Sequence, residues 1–476
     1  MDLTNQGELE TSTDPLFDED EQLDEMYDLN QEEAEEESLE VEDHDDAFGT
    51  LQALPLYSNL PLERQNMVFQ TPPPGKRLCV IATNVAETSL TIPMVRYVVD
   101  TGLVKEKTYE PGSNIHKFCT TWVSQSSANQ RMGRAGRVAP GHCYRLYNPA
   151  AFSTFVEFSS PEIVRTPLES TVLMMRQFGI EHVERFPFPS PPNRAAVLTA
   201  VESLQRMGAL NASGITELGA QLLAFPVVPR FAVMLVRAQE YLTQDPRVCA
   251  FVIDAVSVAA TVVDPFQITT SDQTKESSEH SPLRHPGSDM HTFARALQGY
   301  RNAKKNRGEY CAQTGLIAKF MREADLLSKQ IFHHMSTVLP QPPTETKIDE
   351  GDLSKNQELL FRKIISSGLL DCVARIATSA ECEEAGVRVA SSTGRSTHVA
   401  YVRPSLEGTS PHQLTTEVFY IHPRSSVSKA VPAPDWVVFT TLETNVRMAG
   451  GTNKASRVMM RGVTAVTLPW LHEVGY

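Results

Sequence analysis

The chain has 476 residues, room for three or four domains, and its 41% hydrophobic and 21% charged residues are the balance of a soluble globular protein. No uninterrupted apolar run reaches the about 18 residues that a membrane-spanning helix needs, and the acidic N-terminus lacks the basic-then-apolar order of a secretory signal. The seven cysteines are scattered with no CxxC pair, which argues against a thiolate metal site and fits reduced thiols in the cytosol or nucleus.

The net charge of −15 is unevenly spread. Residues 1–47 hold 21 Asp and Glu and no Lys or Arg, leaving 37 acidic against 43 basic residues in the other 429. A run such as Glu32-Glu33-Ala34-Glu35-Glu36-Glu37 cannot bury enough apolar surface to offset its ordering entropy, so 1–47 reads as a disordered acidic segment. It is either a solvating tail or a competitor of nucleic acid for the mildly basic body.

Residues 48–160 alternate short strands and helices. Leu78-Cys79-Val80-Ile81-Ala82 and Tyr97-Val98-Val99-Asp100 have the composition of buried strands, and Asn84 three residues before Glu87 marks a helix start between them. That alternation implies a doubly wound α/β lobe. Pro111-Gly112-Ser113-Asn114 between β-rich flanks predicts a hairpin protruding from it.

Residues 161–228 turn helical around a Pro-rich break at 187–192. A helix over 194–207 presents Val197, Val201 and Leu204, and glycine-bounded segments at 208–210 and 214–219 add a small wing, which together suit a winged helix. Residues 229–338 read as a helical bundle interrupted by a polar stretch at 269–281, and 339–397 as linker and helix. Strand-like runs at 399–402, 417–421, 436–442 and 458–468 make 398–476 a small OB-like β-barrel.

Chemistry concentrates in Gln130-Arg131-Met132-Gly133-Arg134-Ala135-Gly136-Arg137. On a helix, Gln130, Arg134 and Arg137 fall at i, i+4 and i+7, so one face would offer an amide and two guanidiniums. Gly133 and Gly136 each cost about 1 kcal/mol of helix propensity, tolerable where something must approach closely. Arginine forks match phosphate oxygens and stabilise charge on a phosphoryl group in transfer.

This octamer resembles motif VI of the superfamily-two helicases. Ala82-Thr83-Asn84-Val85-Ala86-Glu87-Thr88-Ser89-Leu90-Thr91-Ile92 is similar to motif V of their DEAH-box branch, and Pro55-Leu56-Tyr57-Ser58 with Leu60-Pro61 and Gln65 to its motif IV region. His285-Pro286-Gly287-Ser288-Asp289 and the terminal strands extend the resemblance over about residues 51–476. Pro93 after Thr91-Ile92, Phe419-Tyr420-Ile421-His422-Pro423 and Met460-Arg461-Gly462-Val463 resemble the nucleolar DEAH-box helicases of small-subunit ribosome biogenesis, which carry an acidic insertion just before motif IV.

The resemblance implies a second RecA-like lobe of P-loop NTPase type followed by winged helix, helical bundle and barrel. It implies a helicase driven by ATP and Mg2+, acting on single-stranded RNA in the nucleolus, with pre-ribosomal RNA, small nucleolar RNA and ribosome-assembly factors as partners. Arg134 and Arg137 would be the arginine fingers, and Gln130 would orient the attacking water or the γ-phosphate. Phe69 would stack on adenine or else be an ordinary core residue, with Thr88, Ser89 and Gly133 also at the nucleotide. Thr83 and Asn84 would contact RNA phosphates or cap the following helix. Arg295, Arg301 and Lys304, beside Tyr300, would line a single-strand channel or form a solvated face. The hairpin would be a strand guide or a plain surface turn, and no metal ligand set is expected.

No GxxxxGK[ST] and no Asp-Glu-x-His box occur in the 476 residues. Those parts hold the phosphates and the magnesium in phosphoryl transfer, and arginine fingers have nothing to act on without them. The expectation is therefore the C-terminal part of an RNA helicase, cut off by truncation or an incomplete gene model and unable to hydrolyse ATP alone. The alternative is a non-catalytic protein that binds RNA or ribosome-assembly factors.

Overall fold

The computed structural model describes residues 50–476 apart from 59, 61, 89–90, 111–114, 243, 267–282, 339–351, 388–395, 405–416, 447–456 and 476. The acidic segment, the polar stretch at 269–281 and the linker at 340–351 lie outside the described residues.

The chain opens with β1 (Thr50–Leu56), α1 (Leu62–Met67), β2 (Lys76–Ala82), α2 (Val85–Thr88) and β3 (Tyr97–Asp100). The hairpin strands β4 (Leu103–Glu110) and β5 (Ile115–Trp122) follow, then α3 (Gln125–Met132), β6 (His142–Arg145) and α4 (Pro149–Thr154). β1 pairs with β2 in parallel from Thr50↔Lys76 to Leu56↔Ala82, and β3 with β6 from Tyr97↔His142 to Asp100↔Arg145. Parallel pairs joined through helices are what alternating apolar runs predict.

These strands are not buried on both faces, contrary to the reading of their composition. Ile81, Tyr97, Val99, Tyr144 and Leu146 are 56–66% exposed, because no element among the described residues covers that side of the pairs. α1 packs on β1, and α3 packs on β3 and on α2. Beneath the hairpin base, Val123, Ala128 and Phe155 form a separate small core, with the Phe155 ring 5.2 Å from Trp122 and 5.1 Å from Tyr147.

Helices α5 (Glu162–Arg165), α6 (Glu169–Gln177) and α7 (Arg194–Arg206) lead to a two-stranded ribbon, β7 (Leu210–Asn211) with β8 (Gly214–Ile215), and then α8 (Glu217–Leu222). Thr216 caps α8 by accepting from the Gly219 amide. Next come α9 (Pro229–Glu240), α10 (Pro246–Thr261), α11 (Asp289–Asn302), α12 (Arg307–Thr314) and α13 (Ala318–Val338). α10 starts at an Asp245 cap with Pro246 in its first turn and is buried almost all round.

α14 (Lys355–Ser367), started by a Ser354–Gln357 capping box, precedes β9 (Val373–Ile376), α15 (Ser379–Glu384), β10 (Tyr401–Val402), β11 (Val418–Ile421) and β12 (Trp436–Val438). β13 (Thr441–Val446), β14 (Val458–Arg461), β15 (Thr464–Val466) and α16 (Leu468–Glu473) end the chain. The expected runs at 436–442 and 458–468 are each two strands, and β9 joins their sheet from ahead of residue 398. Its strand order is β15-β12-β9-β10-β11-β14-β13-β5-β4.

The tip of the hairpin at 111–114 lies outside the described residues, but its second strand is not a free edge. β5 pairs in parallel with β13 from Leu442↔Ile115 to Val446↔Cys119, so the first lobe and the terminal strands share one nine-stranded sheet. A single hydrophobic core runs from Leu168 through the helices to Leu471, uniting α6 to α14 with that sheet. The His-Pro-Gly-Ser-Asp segment closes one seam of it. Asp289, 5% exposed, accepts from Ser425 Oγ at 2.8 Å, the Ser426 amide at 2.6 Å and the Val463 amide at 2.8 Å. No described helix is long and apolar enough to cross a membrane.

Candidate functional site

Helix α3 begins at a buried Ser124 whose side chain accepts from the Ser127 amide at 3.1 Å, and it stops at Met132. Arg134 and Arg137 are thus not on the helix face expected from their spacing. They lie on the looser turns after it, where Arg134 N–H donates to Arg131 O at 3.0 Å and Ala135 N–H to Met132 O at 3.2 Å. The two glycines explain the change, since each weakens the helix that would have to continue through them. A Cβ at Gly136 would meet nothing within 4 Å, so the turn faces open space.

The turn holds its arginines differently. Arg137 Nη1 donates to Thr91 Oγ1, which links the turn to the end of the 82–92 segment. Arg134 is half-buried, and burial and then the neighbouring Arg137 guanidinium push its pKa down while Glu87 opposes them. Two like charges brought together in this way favour an anion between them. Gln130 is exposed on the last turn of α3, and Gly133 caps that helix.

Arg131 points the other way. Its Nε donates to Glu87 Oε2 at 3.1 Å, and its Nη1 to Asp100 Oδ1 at 2.9 Å and to Leu103 O at 3.1 Å. Asp100 also accepts from Tyr147 Oη at 2.8 Å and from the Gly102 amide at 3.0 Å. Burial, then that hydrogen bond to Asp100, pushes the Tyr147 phenol up to about 12. None of Arg131, Glu87, Asp100 and Tyr147 was picked out as a site residue in the sequence. The available signal was a lone acid in the otherwise uncharged 82–92 segment and another ending the apolar run 97–100.

Thr83 and Asn84 are exposed on the turn after β2, where the Thr83 amide donates to Leu56 O at 3.1 Å and fixes the turn to the end of β1. Thr88 ends α2 beside them, and Ser89 lies outside the described residues. Phe69 is half-buried on a separate turn behind α1. The arginine turn and the 82–92 segment are therefore brought together, with Phe69 on another element of the same lobe.

Arg295, Arg301 and Lys304 stand apart on α11 and the turn after it. Arg295 donates through Nε and Nη2 to Asp352. Arg301 spans Asp254 at 2.8 Å and Asp325 at 2.6 Å, and those partners raise its pKa although burial acts against them. Lys304 is exposed, whereas Tyr300 is 5% exposed with Arg307 over its ring and offers no free face to a base.

His285, His291 and Glu358 bring three potential ligand atoms within 4.8 Å of one another. The imidazoles are stacked at 4.1 Å and 9°, so their nitrogen lone pairs lie in parallel planes and do not converge. Each nearby carboxylate is engaged by an arginine, Glu358 by Arg362 and Asp352 by Arg295. That is an ion-pair knot rather than a metal cradle.

Comparison with known proteins agrees with the motifs. The helicase conserved C-terminal domain matches residues 29–139. The chain is 52% identical over 218 residues to the probable ATP-dependent RNA helicase DHR1 of Saccharomyces cerevisiae, covering 45% of this chain and 17% of that protein. It is 33% identical over 472 residues to the human probable ATP-dependent RNA helicase DHX37, covering 90% of this chain and 36% of the relative. For the Drosophila melanogaster probable ATP-dependent RNA helicase kurz the values are 32% over 480 residues, 94% and 38%. The chain thus spans well under half the length of these relatives.

Proposed function

The chain belongs with the C-terminal part of the DEAH-box RNA helicases, and from that premise we propose that it supplies the arginine half of a helicase ATP site together with part of the RNA path. The observation that carries this reading is the junction of the 82–92 segment with the arginine turn, made by Arg131–Glu87 and Arg137–Thr91. A group that touches phosphate on one side of that junction and RNA on the other is what an ATP-driven strand motor needs.

In this reading Arg134 and Arg137 close on the γ-phosphate of an ATP whose other phosphates are held elsewhere, with Gln130 orienting the reacting atoms and Thr88, Ser89, Gly133 and Phe69 around the nucleotide. Mg2+ would travel with the nucleotide. The arginine turn offers it cations rather than carboxylates, so its ligands belong to residues other than these. Thr83 and Asn84, exposed at the turn after β2, would hold RNA phosphates, and the exposed Lys304 would flank the strand further on, whereas Arg295 and Arg301 are engaged by carboxylates.

We assign 48–160 to a second RecA-like lobe, 161–228 to a winged helix on the strength of α7, the β7–β8 ribbon and α8, 229–338 to a helical bundle and the terminal sheet to an OB-like module. The Phe419–Pro423 and Met460–Val463 segments support small-subunit ribosome biogenesis in the nucleolus, with pre-ribosomal and small nucleolar RNA as substrates and ribosome-assembly factors as partners. Without a P-loop this chain alone should not hydrolyse ATP.

The test is ATP turnover by the 476-residue chain with and without single-stranded RNA, alongside RNA affinity at two salt concentrations. Salt-sensitive RNA binding without turnover is the expected result. RNA-stimulated turnover that Arg134→Ala abolishes would overturn the claim that the nucleotide site is only half present. Absence of RNA binding would overturn the RNA path.

A further inference from the structure

Resting on the helicase reading above, we propose that Arg131 is a positioning residue that couples the RNA-facing turn and the hairpin base to the arginine fingers. Its guanidinium is bound to two carboxylates, whereas Arg137 meets a hydroxyl and Arg134 is half-buried beside it. The Arg131 side chain is 15% exposed, against 12% for Glu87 and 1% for Asp100. The three groups it binds belong to three different elements. Glu87 sits in α2, directly after Thr83 and Asn84. Asp100 ends β3, and Leu103 O opens the first hairpin strand.

The geometry suits transmission better than simple bracing. A guanidinium is planar and delivers its hydrogens in fixed directions, so a shift of α2 or of the hairpin base rotates the fork itself. Arg131 is three residues before Arg134, whose amide is bonded to Arg131 O at 3.0 Å. A displacement that carries the Arg131 backbone along with its anchored fork is passed to the first finger within one turn of chain. Asp100 adds a second arm, since Tyr147 and the Gly102 amide hold it at the point where β4 departs. Through β5 that hairpin is paired with β13, so displacement of the terminal sheet reaches the same carboxylate. A lysine at 131 keeps the charge between two buried carboxylates but can reach only one of the three partners at a time.

The experiment uses the full-length enzyme, comparing ATP turnover with and without single-stranded RNA for wild type, Arg131→Lys and Glu87→Gln. Both variants are expected to lower the ratio of RNA-stimulated to RNA-independent turnover by about tenfold, with RNA affinity within about twofold of wild type. Glu87→Gln takes the charge out of the arm to the RNA-facing turn and leaves Arg131 on Asp100, so it carries the test if Arg131→Lys fails to fold; the charge it also removes from beside Arg134 acts on turnover with and without RNA alike and leaves the ratio unchanged. An unchanged ratio, or equal loss of turnover with and without RNA, overturns the coupling role while leaving the helicase reading in place. A wild-type enzyme with no RNA-stimulated turnover overturns both.

Discussion

Arg301 Nη1 lies 2.8 Å from Asp254 Oδ1, which is buried in the middle of α10 among Phe251, Val252, Ile253, Ala255 and Val256. The same guanidinium reaches Asp325 through Nε at 2.6 Å, so one cation joins α10, α11 and α13. Asp254 also accepts from Ser328 Oγ at 2.9 Å and Gln298 Nε2 at 3.2 Å. Even so, burial outweighs these partners and lifts its pKa. A pair of this kind is maintained because breaking it strands a charge, and Arg301→Ala should cost about 3 kcal/mol. Urea denaturation measures it, and a loss below about 1 kcal/mol would show that the pair is effectively solvated.

That pair also marks where sequence reading stops. The stretch Arg295 to Arg307 has the same composition whether its side chains face RNA, water or a buried acid, and only the fold distinguishes these. The lone Asp254 within 246–261 was the hint that a cation had to come to it. The motif V and VI segments were legible because their chemistry is contiguous in the chain. Arg131 was not, since its partners are 44 and 31 residues away. β9 was missed for a similar reason. It has four residues, and its neighbours β10 and β12 come later in the chain.

Asp289 should tolerate no isostere. Its Oδ2 accepts from both Ser425 Oγ and the Val463 amide at 2.8 Å, and its Oδ1 from the Ser426 amide at 2.6 Å. Asn would turn an NH2 group toward donors on one side, leaving at least one buried donor without an acceptor. Asp289→Asn is expected to cost about 2 kcal/mol or more, read from the denaturation midpoint at constant slope. A change of slope instead would mean that the seam between bundle and sheet had opened.

Acid should loosen the protein before its carboxylates titrate. Burial, followed by neighbouring cations, holds His291 at about 3, and burial and then His291 hold His285 at about 3, against an ordinary 6.5. The unfolded chain then binds more protons than the folded one as pH falls below 6.5, so stability is lost through that window. Glu381, held at about 2 chiefly by its bond to Arg375, adds its own loss below its ordinary 4.5. Asp254 and Asp289, raised by burial, act in the opposite sense. Comparing melting temperature against pH for wild type and His291→Gln isolates the histidine part. The variant should have the shallower slope between pH 6.5 and 4.5, and parallel curves would remove the stacked pair as the cause.

Gly102 should be irreplaceable at the root of the hairpin. It has φ +72°, and a Cβ there would stand 2.7 Å from Tyr147 Cδ1 and 3.3 Å from Trp122 Cε3. Its amide meets Asp100 at 3.0 Å, and its carbonyl accepts from the Val123 amide at 2.9 Å, so the backbone cannot turn away to make room. Gly102→Ala adds left-handed strain of about 1 kcal/mol and displaces the Tyr147 ring that holds Asp100. The expected result is a loss of about 2 kcal/mol in stability and faster amide hydrogen exchange at Leu103 and Val123. If exchange at those amides stays at the wild-type rate, the Tyr147 ring has moved aside and the hairpin base does not depend on this glycine.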